Sequence, residues 1–282
     1  MATLLAWLAP PGRAEERGLA DLLREPPAVA AQTAVKALPF EAQVELFNLY
    51  ARYLDAVSKR RDEGWRAGLL SDEGSKTSPE DALPARQLDE AVSAIRAAGG
   101  EAWGVEMDLE NLESAGEVVQ AVLNHYGRID ILVNNAGINI REPAVEVTEE
   151  HFDRIVSVNL KGLYFLTQTV AQHMISRRQG KIINIGSLTT GIALSKVSVY
   201  ACTKGAVGQL TKALALELGA HNIQVNAICP GFVVTALTEK LWANPEMRAW
   251  GEGRVALGRL AVPSDLAGTA VFLASRASDY VT

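Results

Sequence analysis

The sequence predicts an α/β fold, a parallel sheet with helices packed on both faces. Two observations carry this. Short, nearly continuous apolar runs at 130–133 and 181–185, and a strand at 224–228, alternate with longer amphipathic stretches of helical period. That alternation is the mark of strand–helix–strand units. The chain of 282 residues is also 48% hydrophobic and 21% charged, enough apolar material for a large core and unlike a disordered chain.

The elements follow in order. Residues 1–86 are rich in Ala, Leu, Pro, Arg and Glu and show no clear strand. The apolar opening, 2–10, has no basic residue before it and is too short for a secretory leader or a membrane span. It reads as a buried N-terminal segment. Residues 40–59 place Val44, Leu46, Phe47, Tyr50, Tyr53, Leu54 and Val57 at helical spacing. Residues 72–84 cluster Gly, Ser, Pro and charge, as a linker does. The expected organisation is therefore an atypical, helix-patterned segment over 1–86 and an α/β core over 87–282.

In the core, a helix over 87–98 ends at Gly99-Gly100, which can take a left-handed cap. A strand follows at 102–107, then a helix at Leu112–Tyr126 ended by Gly127. The strand at 130–133 runs into Asn134-Asn135-Ala136-Gly137. Thr148, with Glu149 and Glu150 behind it, opens a long helix reaching about Arg178. The strand at 181–185 precedes a helix over 199–221, and the strand at 224–228 precedes helices over 236–252 and 263–275.

Composition excludes several functions. A formal net charge of −6 argues against nucleic-acid binding, and no membrane span is expected. Cys202 and Cys229 form no Cys-x-x-Cys pair, and the four histidines are scattered, so no metal site is expected. A reducing, cytoplasmic setting is the default.

The chemistry gathers in the second half. Tyr200 and Lys204 stand four apart on one helix face. A free tyrosine ionises near pH ~10, and an adjacent ammonium favours the phenolate. The pair can exchange a proton with an alcohol or carbonyl. Ser187 directly follows the strand at 181–185, at the carboxyl end where α/β sheets hold ligands. Asn159 sits mid-helix, where asparagine is unfavourable; a functional task and a core hydrogen bond are both open readings. Gly137 and the Pro230-Gly231 turn let a flat ligand approach the backbone.

Taken together, Asp108-Leu109, the NNAG turn, Asn159, Ser187, Tyr200-Ala-Cys-Thr-Lys204 and the run from Pro230 to Thr235 resemble the short-chain dehydrogenase/reductase family. The resemblance covers about 86–282 and implies a Rossmann-type, doubly wound sheet. It also implies an NAD or NADP cofactor and hydride transfer between an alcohol and a ketone. By the same resemblance, Tyr200 is the acid/base and Lys204 lowers its pKa and holds the nicotinamide ribose. Ser187 orients the reacting oxygen, and Asn159 anchors a proton-relay water. Asp108 contacts adenine with Leu109 beside it, Asn135 and Gly137 line the cofactor cleft, and Val233 and Thr235 bind the carboxamide side. A homo-oligomer, dimer or tetramer, is implied through the two long helices. The segments NNAGINIR, GKIINIGSLTT and the C-terminal run look most like sugar-acid and polyol members such as gluconate 5-dehydrogenases. Arg141 could pair with a substrate carboxylate; a solvated loop arginine is the alternative.

The sequence departs from the family at both ends. The expected Thr-Gly-x-x-x-Gly-x-Gly turn, which would cradle pyrophosphate, is not found. Gly12 and Gly18 have the outer spacing, but Glu16 takes the middle position. The family pattern also continues past Tyr280-Val281-Thr282 into a further strand. A truncated or cofactor-impaired, non-catalytic relative is therefore the rival expectation.

Overall fold

The computed structural model describes residues 2–4, 82–97, 101–235 and 238–282. The helix expected at 40–59 and the Gly12–Gly18 region lie outside them. The described strands form two sheets. In the first, β1 (Ala2–Leu4) pairs antiparallel with β2 (Val105–Met107). In the second, β3 (Ile131–Asn134), β4 (Gly180–Ile185) and β5 (Ile223–Ile228) run parallel in that order. Their register aligns Leu132 with Ile182 and Ile182 with Val225.

Side-chain alternation gives the sheet two buried faces. Leu132, Ile182 and Val225 point toward α2 (Leu112–Tyr126) and α4 (Leu163–Arg177) and meet Val118, Val122, Val170 and Met174. Ile131, Ile183 and Ile228 point the other way, onto Leu273 and Ala274 of α8 (Ser264–Ala274). Each fully buried Val, Ile or Met of this kind contributes about 1.5–3 kcal/mol. The parallel, doubly covered sheet expected from the apolar runs is what these residues build.

Four elements differ from expectation. First, α1 (Ala82–Ala97) begins earlier than 87 and crosses the 86/87 boundary. Pro84 is tolerated because the first helical turn lacks intrahelical partners for its N–H groups. Second, β2 is shorter than 102–107. The Ala102 carbonyl is taken by Arg96 Nε and Nη2, at 3.1 and 2.8 Å, instead of by a ladder. Third, Ala2–Leu4 is a strand where none was read; three residues are too few to show a period of two. Fourth, the stretch 236–252 holds two short helices, α6 (Glu239–Trp242) and α7 (Pro245–Glu252). Asn244 breaks them apart by accepting the Met247 N–H at 3.0 Å.

The long helix from Thr148 is present but not uniform. It runs as α3 (Glu149–Val156), a π-helical segment (Ser157–Gly162), then α4. Thr148 caps it, accepting from His151 N at 3.1 Å. The helix α5 (Ser198–Gly219) then carries Tyr200 and Lys204 back over the carboxyl end of β4.

Candidate active site

Ser187 lies two residues past β4 in extended conformation and caps a short 3₁₀ turn, Leu188–Thr190. Its Oγ accepts the Thr189 N–H at 3.1 Å. The turn is fastened to the β5 side by the Leu188 N–H on the Pro230 carbonyl, 2.7 Å. Tyr200, in the first turn of α5, faces Ser187. Burial pushes the Tyr200 phenol above its usual value, and Ser187 opposes that rise.

Lys204 follows one turn later, its Nζ 5.8 Å from the Tyr200 ring centroid. The ammonium is buried and donates to the Ile185 carbonyl at 2.6 Å. Desolvation lowers it to about 8, against a smaller raising effect of Cys229. The sequence reading had Lys204 lowering the tyrosine's pKa. In this structure burial is the first effect on Tyr200 and Ser187 opposes it, while the Lys204 ammonium donates to the β4 carbonyl.

Asn159 sits in the π-helical segment and is fully buried. Its Oδ1 accepts from Ile138 N at 2.8 Å. Its Nδ2 donates to Ile138 O at 2.9 Å and to Thr203 Oγ1 at 3.2 Å. Both amide protons are thus used, and the side chain clamps the loop after β3 to α5. The widened helical turn is the kind found at functional positions. A Cβ on Gly137 would stand 3.3 Å from Asn159 Oδ1 and 3.5 Å from Lys204 Nζ. The NNAG turn, Asn159 and Lys204 therefore converge, and Asn135 lies half-buried in that turn.

The remaining expected residues fall around this centre unequally. Val233 is buried, and its carbonyl accepts from Thr238 Oγ1 at 2.6 Å and Trp242 Nε1 at 3.1 Å. Thr235 N donates to Thr238 Oγ1 at 2.9 Å, so α6 holds this loop. Asp108 turns its Oδ1 to the Glu110 N–H, 3.1 Å, at the exit from β2. Leu109 is buried in the core against Gly162. Arg141 is exposed; next to it, Glu142 N donates to Lys196 O at 3.1 Å. Sequence reasoning gave no role to Thr203 or Thr190. Thr203 was visible inside Tyr-Ala-Cys-Thr-Lys, but only the fold shows that it meets Asn159.

A cavity of about 320 Å³ opens at the other end of the strands, lined by Asp130, Gly180, Lys181 and Gln224. None of the convergent residues reaches it, and Lys181 is already bonded to Gln224, Ser278 and Asp279.

The family model described as enoyl-(acyl carrier protein) reductase matches residues 67–282. Gluconate 5-dehydrogenase of Gluconobacter oxydans is 40% identical over 70% of this chain and 77% of that protein. The 5-keto-D-gluconate 5-reductase of Escherichia coli K12 is 36% identical, over 71% and 78%. A gluconate 5-dehydrogenase from Burkholderia cenocepacia, solved with NADP and tartrate, superposes with TM-score 0.68 at 35% identity, covering 70% of this chain and 78% of that one.

The chain belongs to the short-chain dehydrogenase/reductase family.

Short-chain dehydrogenases/reductases are NAD(P)-dependent oxidoreductases, and the donor set can be tested against that cofactor. The nicotinamide-ribose end fits. A buried ammonium has three N–H groups, and at Lys204 one bonds the Ile185 carbonyl beside the bare Gly137 backbone. Among the described residues no glycine-rich turn stands ready for the pyrophosphate, and no group of His, Cys, Asp and Glu could hold a metal. No helix among them is long and apolar enough to cross a membrane.

Proposed function

We propose that this short-chain dehydrogenase/reductase interconverts an alcohol and a ketone on a sugar acid or related polyol, with Tyr200 as acid/base. The observation that carries the reading is that Ser187 at the carboxyl end of β4 and Tyr200 and buried Lys204 of α5 are brought together, with Lys204 Nζ 5.8 Å from the Tyr200 ring centroid. The nicotinamide, when bound, supplies or takes the hydride. Tyr200 gives its phenolic proton to the reacting oxygen in reduction and takes it back in oxidation. Ser187 orients that oxygen. Lys204, released from the Ile185 carbonyl, holds the nicotinamide ribose and brings its charge to the phenol. Asn159 keeps one Oδ1 lone pair for a relay water, its amide protons being spent on Ile138 and Thr203.

Asn135, Gly137, Val233 and Thr235 are the cofactor-cleft residues of this reading, with Asp108 and Leu109 on the adenine side. Arg141 pairs with the substrate carboxylate. The sugar-acid assignment is supported by the names of the relatives above. We further place the protein in the cytoplasm and as a homo-oligomer. Exposed Phe152, Tyr164, Phe165 and Leu216 on α3, α4 and α5 support that assembly.

The test is a thermal melt with saturating NAD or NADP, followed by turnover of gluconate and 5-keto-gluconate. A ligand at 100 times its Kd stabilises by about 2.7 kcal/mol. A rise with one dinucleotide, and turnover of the sugar acid by wild type, is expected. Arg141→Ala should raise KM for the sugar acid and spare a neutral polyol. A melt unmoved by either dinucleotide overturns the assignment.

A further inference from the structure

Thr190 ends the short turn that Ser187 opens. A threonine hydroxyl has one proton and two lone pairs, and here all three are engaged. Thr190 Oγ1 donates to the Lys204 carbonyl at 3.0 Å. It accepts the Ser187 N–H at 3.2 Å. It also accepts the weak Cys229 thiol at 3.8 Å. The Thr190 methyl fills the space that Gly208 leaves open on α5: a Cβ at Gly208 would strike Thr190 Cγ2. One side chain therefore touches the backbone of the serine and of the lysine.

We propose that Thr190, seated against Gly208, is the positioning residue that sets Ser187 against Tyr200 and Lys204. The physical case is one of missing constraints. From the β5 side, the serine turn is held by Leu188 N on Pro230 O and Gly186 N on Ile228 O. Those bonds fix the turn to the sheet but not to the α5 backbone, and the Lys204 ammonium on Ile185 O ties α5 to the end of β4 only through a flexible side chain. Thr190 fixes the turn's distance from α5 twice, by a hydrogen bond to the helix backbone and by contact where the helix has no side chain. An oxygen misplaced by about 1 Å can cost a hundredfold in rate, so the second constraint matters to proton transfer.

This inference rests on the proposed function, and its test separates the two. Thr190→Val keeps the shape and removes the hydroxyl. The expected result is a kcat lowered about ten- to a hundredfold, with KM and dinucleotide affinity nearly unchanged. The pH limb of kcat should move upward, because Ser187 is what opposes the burial that raises Tyr200. Thr190→Ser keeps the hydroxyl but loses the methyl contact at Gly208, so its kcat should fall between those of wild type and Thr190→Val, with a pH profile close to wild type. Gly208→Ala should impair the Thr190 protein but be tolerated in Thr190→Ser, which lacks Cγ2. The same double-mutant cycle is read in melting temperature without cofactor, so the contact is tested even in a chain without turnover. A Thr190→Val enzyme with lower Tm but wild-type kcat and pH profile would overturn the proposal. So would a Gly208→Ala cost equal in both backgrounds.

Discussion

The β3–β4–β5 sheet and the β1–β2 pair are built by different rules, and the site divides along the same line. The three parallel strands are covered by helices on both faces, so most of their side chains are apolar, and the buried Asn134 and Asn184 are satisfied by each other and by Thr167 and Thr211. The loops at their carboxyl ends bring Gly137, Ser187 and the Pro230 turn together, and α5 lays Tyr200 and Lys204 across them. The β1–β2 pair is three residues long, with Val105 half-buried, Glu106 exposed and Met107 buried. Its exit residues face inward: Asp108 Oδ1 closes a local turn and Leu109 enters the core. In the proposed reading, the proton-transfer residues stand at the carboxyl ends of the parallel strands, whereas the β2 exit supplies the adenine side and packing.

The largest test of that division is Tyr200→Phe. Loss of the phenolic proton should lower kcat by about a thousandfold. Tm should hold or rise slightly, because the lost hydroxyl bonds only at the site. Equal turnover by wild type and variant, measured as dinucleotide absorbance, would move the chemistry away from the sheet.

Gly162→Ala probes the seam where the two regions meet. Its Cβ would strike the Leu109 carbonyl and come 2.8 Å from Leu109 Cβ. Backbone cannot swing aside as a flexible side chain can, so about 1–3 kcal/mol and a few degrees of Tm should be lost. Turnover per folded molecule should fall much less than in Tyr200→Phe. An unchanged Tm would mean that the β2 exit yields freely and packs less tightly than the geometry requires.

The same difference explains what could be read from the residues alone. The runs at 130–133 and 181–185 were legible because a strand buried on both faces needs largely apolar sequence. Tyr200 and Lys204 were legible because helical spacing places them on one face whatever surrounds them. Ala2–Leu4 was not legible, since its pairing with β2 depends on a partner about a hundred residues away and on no local period. The π-helical segment was hidden too: six residues of wider helix leave the apolar pattern of 148–178 nearly intact. Ser187-Leu-Thr-Thr190 offers two threonines, and only the approach of α5 at Gly208 decides which one reaches the Lys204 carbonyl. Lys204's bond to Ile185 likewise belongs to tertiary geometry. Spacing brought the ammonium near the phenol but could not say which oxygen it faces.

The smallest expected effect lies at the opposite end of the parallel sheet, where β3 begins. His173 of α4 accepts the Ile129 N–H on Nε2 at 3.3 Å, so that nitrogen must be unprotonated. One cation, Arg177, acts on it, and Asp130 ties Arg177 and Arg128 together beside it. Arg177 donates to Ile129 O at 2.9 Å and to Asp130 Oδ1 at 2.7 Å, and Arg128 Nε lies 2.9 Å from Asp130 Oδ2. Burial lowers the His173 pKa first, the Arg177 charge lowers it further, and Asp130 opposes both. The fold therefore favours the neutral ring. Its contribution is full above the unfolded value of about 6.5 and is lost as pH falls through the lower folded value. His173→Gln keeps an acceptor for Ile129 N–H and cannot titrate. Urea unfolding across this pH range should show a shallower acid-side loss of stability in the variant than in wild type. Parallel curves would mean that the amide of Ile129 does not depend on the imidazole, and that the start of β3 is held by Arg177 and Asp130 alone.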